Sequence, residues 1–215
     1  MNKSFPVELQ RLYKRLNTPA QVQDFLNDLP ANFESTGETY MSPLRTIREG
    51  RAHCMEGAML AASALRFHGY QPFLMDLRVA RPDQDHVVAL FRERRTSGAW
   101  GAISKTNHAV LRYREPIYRT LRELALSYFH EYFDNATGKK NLREYSVPVN
   151  LARFDKDNWE TTEADLWDIV EAVDSVRHFR ILSKAQEKNL RPADAVEVSA
   201  GNITEWTPQG KRLVS

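Results

Sequence analysis

Cysteine is almost missing from this chain of 215 residues, which has one, Cys54. A lone thiol excludes an internal disulfide and a thiolate-rich zinc site, leaving a small buried apolar residue or a reactive nucleophile. Long hydrophobic runs are missing too. The longest mostly apolar stretch, Gly57 to Leu65, is broken by Ser63 and falls far short of the roughly 20 residues that cross a bilayer. The start, Met1-Asn2-Lys3-Ser4, runs at once into the polar Glu8-Leu9-Gln10-Arg11 and lacks the apolar core of a secretion signal. The expectation is a cytoplasmic protein with no membrane partner. An excess of one charge is also absent: 30 basic side chains face 28 acidic ones, for a net charge of +2. That gives no general attraction for nucleic acid, which is not expected as a partner, although a pI near 8.6 leaves room for a local basic patch. No Gly-rich phosphate loop, HExxH, EF-hand or paired-cysteine motif occurs, so neither cofactor nor metal is expected.

What is present is a globular composition, 42% hydrophobic and 27% charged, in a chain long enough to bury a core unaided. Leu9, Leu12 and Leu16 stand at helical spacing. Thr18-Pro19 then offers a cap and a first-turn proline before Val22, Phe25 and Leu26. Past a polar loop at Glu34 to Glu38, Met41-Ser42-Pro43 leads to Gly50 and to the most regular helix, from Cys54 to about His68. Its apolar face carries Cys54, Ala58, Ala61 and Leu65, and Gly69 stands where a left-handed cap belongs. The period then changes to two. Phe73 to Val79, His86 to Phe91 and Ala99 to about Thr106 read as strands, with turns at Arg81-Pro82-Asp83-Gln84 and Arg94 to Gly98. Glu115 to Phe133 has helical spacing, a further helix begins at Thr161 or Thr162, and the residues from Arg191 read as irregular, with a short strand around Ala195 to Val198. The division expected is a helical segment over 1–35, an α+β domain over 36–180 and an irregular tail over 181–215.

Charge is uneven along the chain. Arg92 to Arg122 holds eight basic and two acidic side chains, Asp155 to Asp174 eight acidic and one basic. Either the basic run is a patch for an anionic partner, or the two are solvated faces that dock on each other.

Cys54 opens a helix, where unpaired backbone N–H groups and the positive end of the helix dipole favour a thiolate and can receive an oxyanion. It also shares a face with alanines and leucine, as a buried structural cysteine would. Among the histidines, His53 is adjacent in sequence and points elsewhere, His68 is far along the helix, and His130 lies in another segment. His86 opens a strand that a sheet would lay against the Cys54 helix. Tyr40, Tyr70, Trp100 and Tyr113 are candidates for lining a cleft, or for core and rim.

Ser42-Pro43, Arg48-Glu49-Gly50, His53-Cys54-Met55-Glu56-Gly57-Ala58, Leu65-Arg66, Gly69, Asp85-His86 and Trp100-Gly101-Ala102-Ile103 together resemble the transglutaminase-like superfamily. The resemblance spans Met41 to His108. It implies a papain-like core in which Cys54 begins the central helix, His86 lies on the sheet and an aspartate ends the next strand. Two positions depart from the pattern. His86-Val87-Val88 stands where members commonly carry His-Ala-Trp, and Ser104 stands where the aspartate belongs. A serine accepts a hydrogen bond from the histidine but gives an imidazolium no opposite charge. Asn107 is an alternative orienter if the strand is shifted or bulged.

The fold expected is α+β of the papain-like, transglutaminase-like type, with a central helix packed on a small antiparallel sheet and helices on its flank. The activity implied is a thiol hydrolase or acyltransferase acting on an amide or ester carbonyl of a peptide, protein or small amide. Its site residues would be Cys54, His86 and Ser104. The alternative is an inactive binding module on the same fold.

Overall fold

Short polar residues ahead of prolines set the second and third helices. The structure, a computed structural model, describes residues 5–35, 37–81, 83–94 and 98–214. Helix α1 is Val7–Tyr13 and α2 is Pro19–Asp28, where Thr18 Oγ1 accepts the Gln21 N–H at 3.2 Å, a cap of about 1 kcal/mol. The same device starts α3, Pro43–Glu49, with Ser42 Oγ accepting from Arg45 at 3.2 Å. Helix α4 is Cys54–Phe67, and Gly69 beyond it is left-handed, with φ of 81°, a conformation glycine adopts without a Cβ penalty. Strands β1, Phe73–Val79, β2, His86–Arg92, and β3, Trp100–Ile103, form where strands were expected, but β1 and β2 are buried on both faces and β3 stops short of Thr106. The remaining elements are β4 (Arg114–Tyr118), α5 (Leu121–Phe129), β5 (Leu142–Ser146), β6 (Val149–Asn150), a 3-10 helix (Leu151–Asp157), α6 (Trp167–Ser175), β7 (His178–Arg180), α7 (Lys184–Lys188) and α8 (Ala195–Gly201).

The result is an α+β fold around one antiparallel sheet in the order β4-β3-β2-β1-β5-β7, with β6 also pairing β1. This sheet is larger than the small one expected, because β5, β6 and β7 extend it beyond β1. One face packs on α4 and the N-terminal helices: Leu74, Val87, Ala89 and Ile103 meet Ala58, Ala61, Leu65 and the α1 residues Leu9 and Leu12 in a single cluster. Alanines along α4 let its backbone lie close to the sheet. The opposite face packs Met75, Leu77, Val88 and Leu90 against Leu124, Tyr128 and Phe129 of α5.

Several expectations change. Residues Glu115 to Tyr118, placed within a helix by spacing, belong instead to the edge strand Arg114–Tyr118, which leaves Ile117 69% exposed. The helix starts only after Thr120, whose hydroxyl and Glu123 form a capping box. Helix α6 begins at Trp167 rather than Thr161 or Thr162, because turns occupy the intervening residues. The tail is not irregular. Ala195–Gly201 is a helix rather than a strand, started by a capping box between Asp194 and Glu197, and buried Trp206 and Glu205 follow it. The expected turn at Arg94 to Gly98 includes 95–97, and the break after Arg81 includes Pro82; both lie partly outside the described residues.

Among the described residues, the basic run does not form one patch. Arg92 lies over Trp100, Arg94 over Tyr70, Lys105 is buried, Arg112 pairs with Glu205, Arg114 with Glu131, and Arg122 donates to the Ile181 carbonyl. Among the described residues, three carboxylates of the acidic run pair with cations from the N-terminal half: Asp155 with Arg66, Asp165 with Arg45 and Glu163 with Arg48. Among the described residues, no helix is long and apolar enough to cross a membrane.

Candidate active site

The first turn of α4 is fixed by a buried carboxylate. Glu56, fully buried, accepts from the His53 N–H at 3.0 Å, the Met41 N–H at 3.2 Å, Thr39 Oγ1 at 2.9 Å and Asn32 Nδ2 at 3.1 Å. Those bonds compensate a buried anion and tie the loop before the helix to its start. His53 is the cap residue. Its Nε2 lies 2.6 Å from the Thr39 carbonyl, which can only accept, so that nitrogen carries a proton.

Cys54 comes next, half-buried at the mouth of a cleft of about 300 Å³. His53 and His86 line the same cleft wall. Burial alone would push the thiol up, but hydrogen bonding to the two rings and their charge outweigh it and hold the thiol well below its ordinary value. For His53 burial works downward, and the bond to Cys54, the charges of Cys54 and Glu56 and the Thr39 carbonyl raise it to about 9. In the structure its Nδ1 accepts the Met55 N–H at 3.3 Å, which caps the helix.

His86 sits at the first position of β2, 6% exposed. Its Nε2 lies 2.7 Å from Ser104 Oγ. The serine has one proton, and its hydroxyl donates to the Leu111 carbonyl at 2.5 Å. At the other contact it must therefore accept, so His86 Nε2 carries hydrogen and Nδ1 is the nitrogen left for the thiol. That is the tautomer a base needs. Ser104 in turn is held by Gln23 of α2, whose amide donates to the Ser104 carbonyl at 2.8 Å and accepts the Ser104 N–H at 2.9 Å.

The strand end can reach the helix start because of Gly57. A Cβ there would stand 2.3 Å from the Lys105 Cβ, so only glycine lets the Lys105 stem cross α4 directly after Ser104. Lys105 Nζ donates to the Leu26 carbonyl at 2.8 Å and to that of Leu29, and burial brings its pKa down to about 8.

The structure thus brings Cys54, His86 and Ser104 together. No family model matches the sequence, and no curated protein matches it. Among solved structures, the chain is similar in part to LapG of Legionella pneumophila. The EGTA-treated form matches with a TM-score of 0.35 and 18% identity over 46% of this chain and 58% of LapG. The calcium-bound form matches with a TM-score of 0.34 and 19% identity over 44% and 59%. The match spans under two thirds of LapG's own length, and a likeness this low carries no argument about chemistry.

Asn107 is engaged elsewhere: its amide accepts the Trp206 N–H at 2.8 Å and donates to the Trp206 carbonyl at 3.0 Å, pinning the tail. Asp85 accepts the Val79 N–H at 2.8 Å. The aromatics expected in the cleft lie elsewhere. Tyr70 and Tyr113 share a groove with Phe91, Trp100 lies under Arg92, and Tyr40 packs edge-on against His53 and Trp167. The cleft's aromatic walls are Phe33, Tyr132 and Phe133. Sequence reasoning set His53 aside for its adjacency to Cys54; the signal that would have found it is the His53…Glu56 capping spacing. Among the described residues, no group of three or more His, Cys, Asp or Glu side chains is placed to hold a metal ion.

Proposed function

We propose that this chain is a transglutaminase-like cysteine enzyme, a thiol hydrolase or acyltransferase whose nucleophile is Cys54, whose base is His86 and whose orienting residue is Ser104. The observation that carries the reading is a half-buried thiol at a helix start, sharing a cleft wall with a histidine whose Nε2 is committed to a hydroxyl.

In this mechanism the Cys54 proton passes to His86 Nδ1, and the sulfur attacks the carbonyl carbon of an amide or ester. The carbonyl electrons move to oxygen, and the Cys54 N–H, unpaired as the first of its helix, is available to the oxyanion. Collapse of the intermediate expels the amine or alcohol, which takes the proton from His86 and leaves a thioester on Cys54. Water or an amine then attacks the thioester, His86 removes the incoming proton, and that proton returns to the sulfur as the acyl group leaves. Ser104 holds the ring in register throughout without carrying charge. The cleft suits a peptide, protein or small amide substrate.

The test uses a thiol-directed chloromethyl ketone and intact mass. The unmodified chain should gain one adduct within minutes at neutral pH, and Cys54→Ala should gain none while keeping its circular dichroism. Labelling no faster than that of a free thiol would sink the enzyme. It would favour the inactive binding module, a reading supported by the hydroxyl standing where a carboxylate was expected.

A further inference from the structure

The hydrogen-bond chain beyond Ser104 does not end in solvent. It ends on the Leu111 carbonyl, and Leu111 has φ of 61°, an uncommon left-handed conformation for a leucine. The Leu111 N–H donates to Glu131 Oε2 at 2.8 Å. Glu131, just beyond α5, is itself fixed by Arg114 Nη2 at 2.6 Å. Arg114 is held by Ser127, through Oγ at 3.0 Å and the carbonyl at 3.2 Å, with its guanidinium 4.0 Å over the Tyr128 ring. The wall opposite α4 is thus built to hold one peptide unit in a strained orientation.

We propose that Glu131 is a positioning residue of this site. By holding the Leu111 peptide it presents a backbone carbonyl as the last acceptor in the chain His86 Nε2–H to Ser104 Oγ–H to Leu111 C=O, doing through two hydrogen bonds what a carboxylate would do through one. This rests on reading Cys54 and His86 as nucleophile and base. A carbonyl accepts from the hydroxyl, the hydroxyl is thereby a better acceptor for Nε2–H, and the ring is held with Nδ1 toward the thiol. The other titratable groups on the cleft wall, His53, Asp83, Asp85, Lys105, His108 and Tyr132, are left unchanged in every variant below.

The experiment is the pH–rate profile of Cys54 alkylation by iodoacetamide on the full chain, with far-ultraviolet circular dichroism as a folding control. Ser104→Ala should move the acid limb of the profile to higher pH. Glu131→Ala should move it the same way, slowing alkylation at mildly acid pH about fivefold. Glu131→Gln, whose amide oxygen still accepts the Leu111 N–H, should recover most of the loss although the ion pair with Arg114 is gone. In the Ser104→Ala background, Glu131→Ala should add less than about twofold, because the chain is already cut. Should the alanine variant fail to fold, Glu131→Asp, one methylene short of the Leu111 N–H, replaces it. A Glu131→Ala profile that coincides with wild type, or an equal effect in both backgrounds, overturns the proposal while a displaced Ser104→Ala profile leaves the Cys54–His86 reading standing. A wild-type profile typical of a free thiol that Ser104→Ala does not move overturns the underlying reading, and the proposal with it.

Discussion

Two histidines on this sheet solve the same hydrogen-bonding problem in opposite ways. His178, on β7, has Nδ1 at 2.8 Å from the Val176 carbonyl and Nε2 at 2.9 Å from Asp76 Oδ2. Both neighbours are acceptors, so the pair holds a proton at each contact, shared between imidazole and carboxylate. Burial raises Asp76, against the His178 hydrogen bond, and that same bond to Asp76 raises His178. His86 meets a hydroxyl instead, keeps Nδ1 free, and has the thiol as its other neighbour. The carboxylate-backed histidine is a lock, and the hydroxyl-backed one is the base of the proposed mechanism.

The comparison breaks most sharply at His86. His86→Gln removes the base but leaves a side chain able to reach Ser104, and alkylation of Cys54 at neutral pH should fall about a hundredfold, read by intact mass against time. Asp76→Ala should do the reverse. It strands a buried imidazole, so urea denaturation should register a loss of about 3 kcal/mol, with the Cys54 labelling rate unchanged. If labelling falls in step with stability, the two sites are not separable as described.

A smaller effect distinguishes the lock by pH. His178 has a folded pKa above its unfolded one, so its stabilisation is complete below the ordinary imidazole value of about 6.5 and is lost as pH rises through the folded value. Asp76 is also raised and acts with the same sign at the acid end. Melting temperature in wild type should therefore decline from about pH 6 to about pH 9 more than in His178→Gln. Equal slopes would mean that the pair holds no extra proton.

The reactive side of the comparison was largely legible in the sequence, and the lock was not. Cys54 at a helix start, His86 at a strand start and Ser104 at a strand end follow from local signals: a cap, a change of period, an alternation. Asp76 reads as one polar residue inside a strand, and its partner lies on β7, which no local pattern announces. Leu111 shows why the site was only partly readable. Nothing in a leucine's chemistry signals a left-handed backbone, and Glu131 acquires its role through a contact made by the fold. Residues Glu115 to Tyr118 were misread because Ile117 and Leu121 keep helical spacing across a strand end and a cap, and the pairing with β3 that decides between them is long-range. The helix at Ala195–Gly201 carries its own signal, Asp194 with Glu197, and could have been read.

The most direct measurement follows from the scarcity of cysteine. With one thiol in the chain, ultraviolet thiolate absorbance, taken as the difference between wild type and Cys54→Ala across pH, reports Cys54 alone. The expected result is a thiolate signal that persists where an ordinary thiol, with a pKa of about 8.5, is protonated, and that His86→Gln displaces to higher pH. A signal that appears only through the ordinary thiol range, and that His86→Gln leaves in place, would contradict the account.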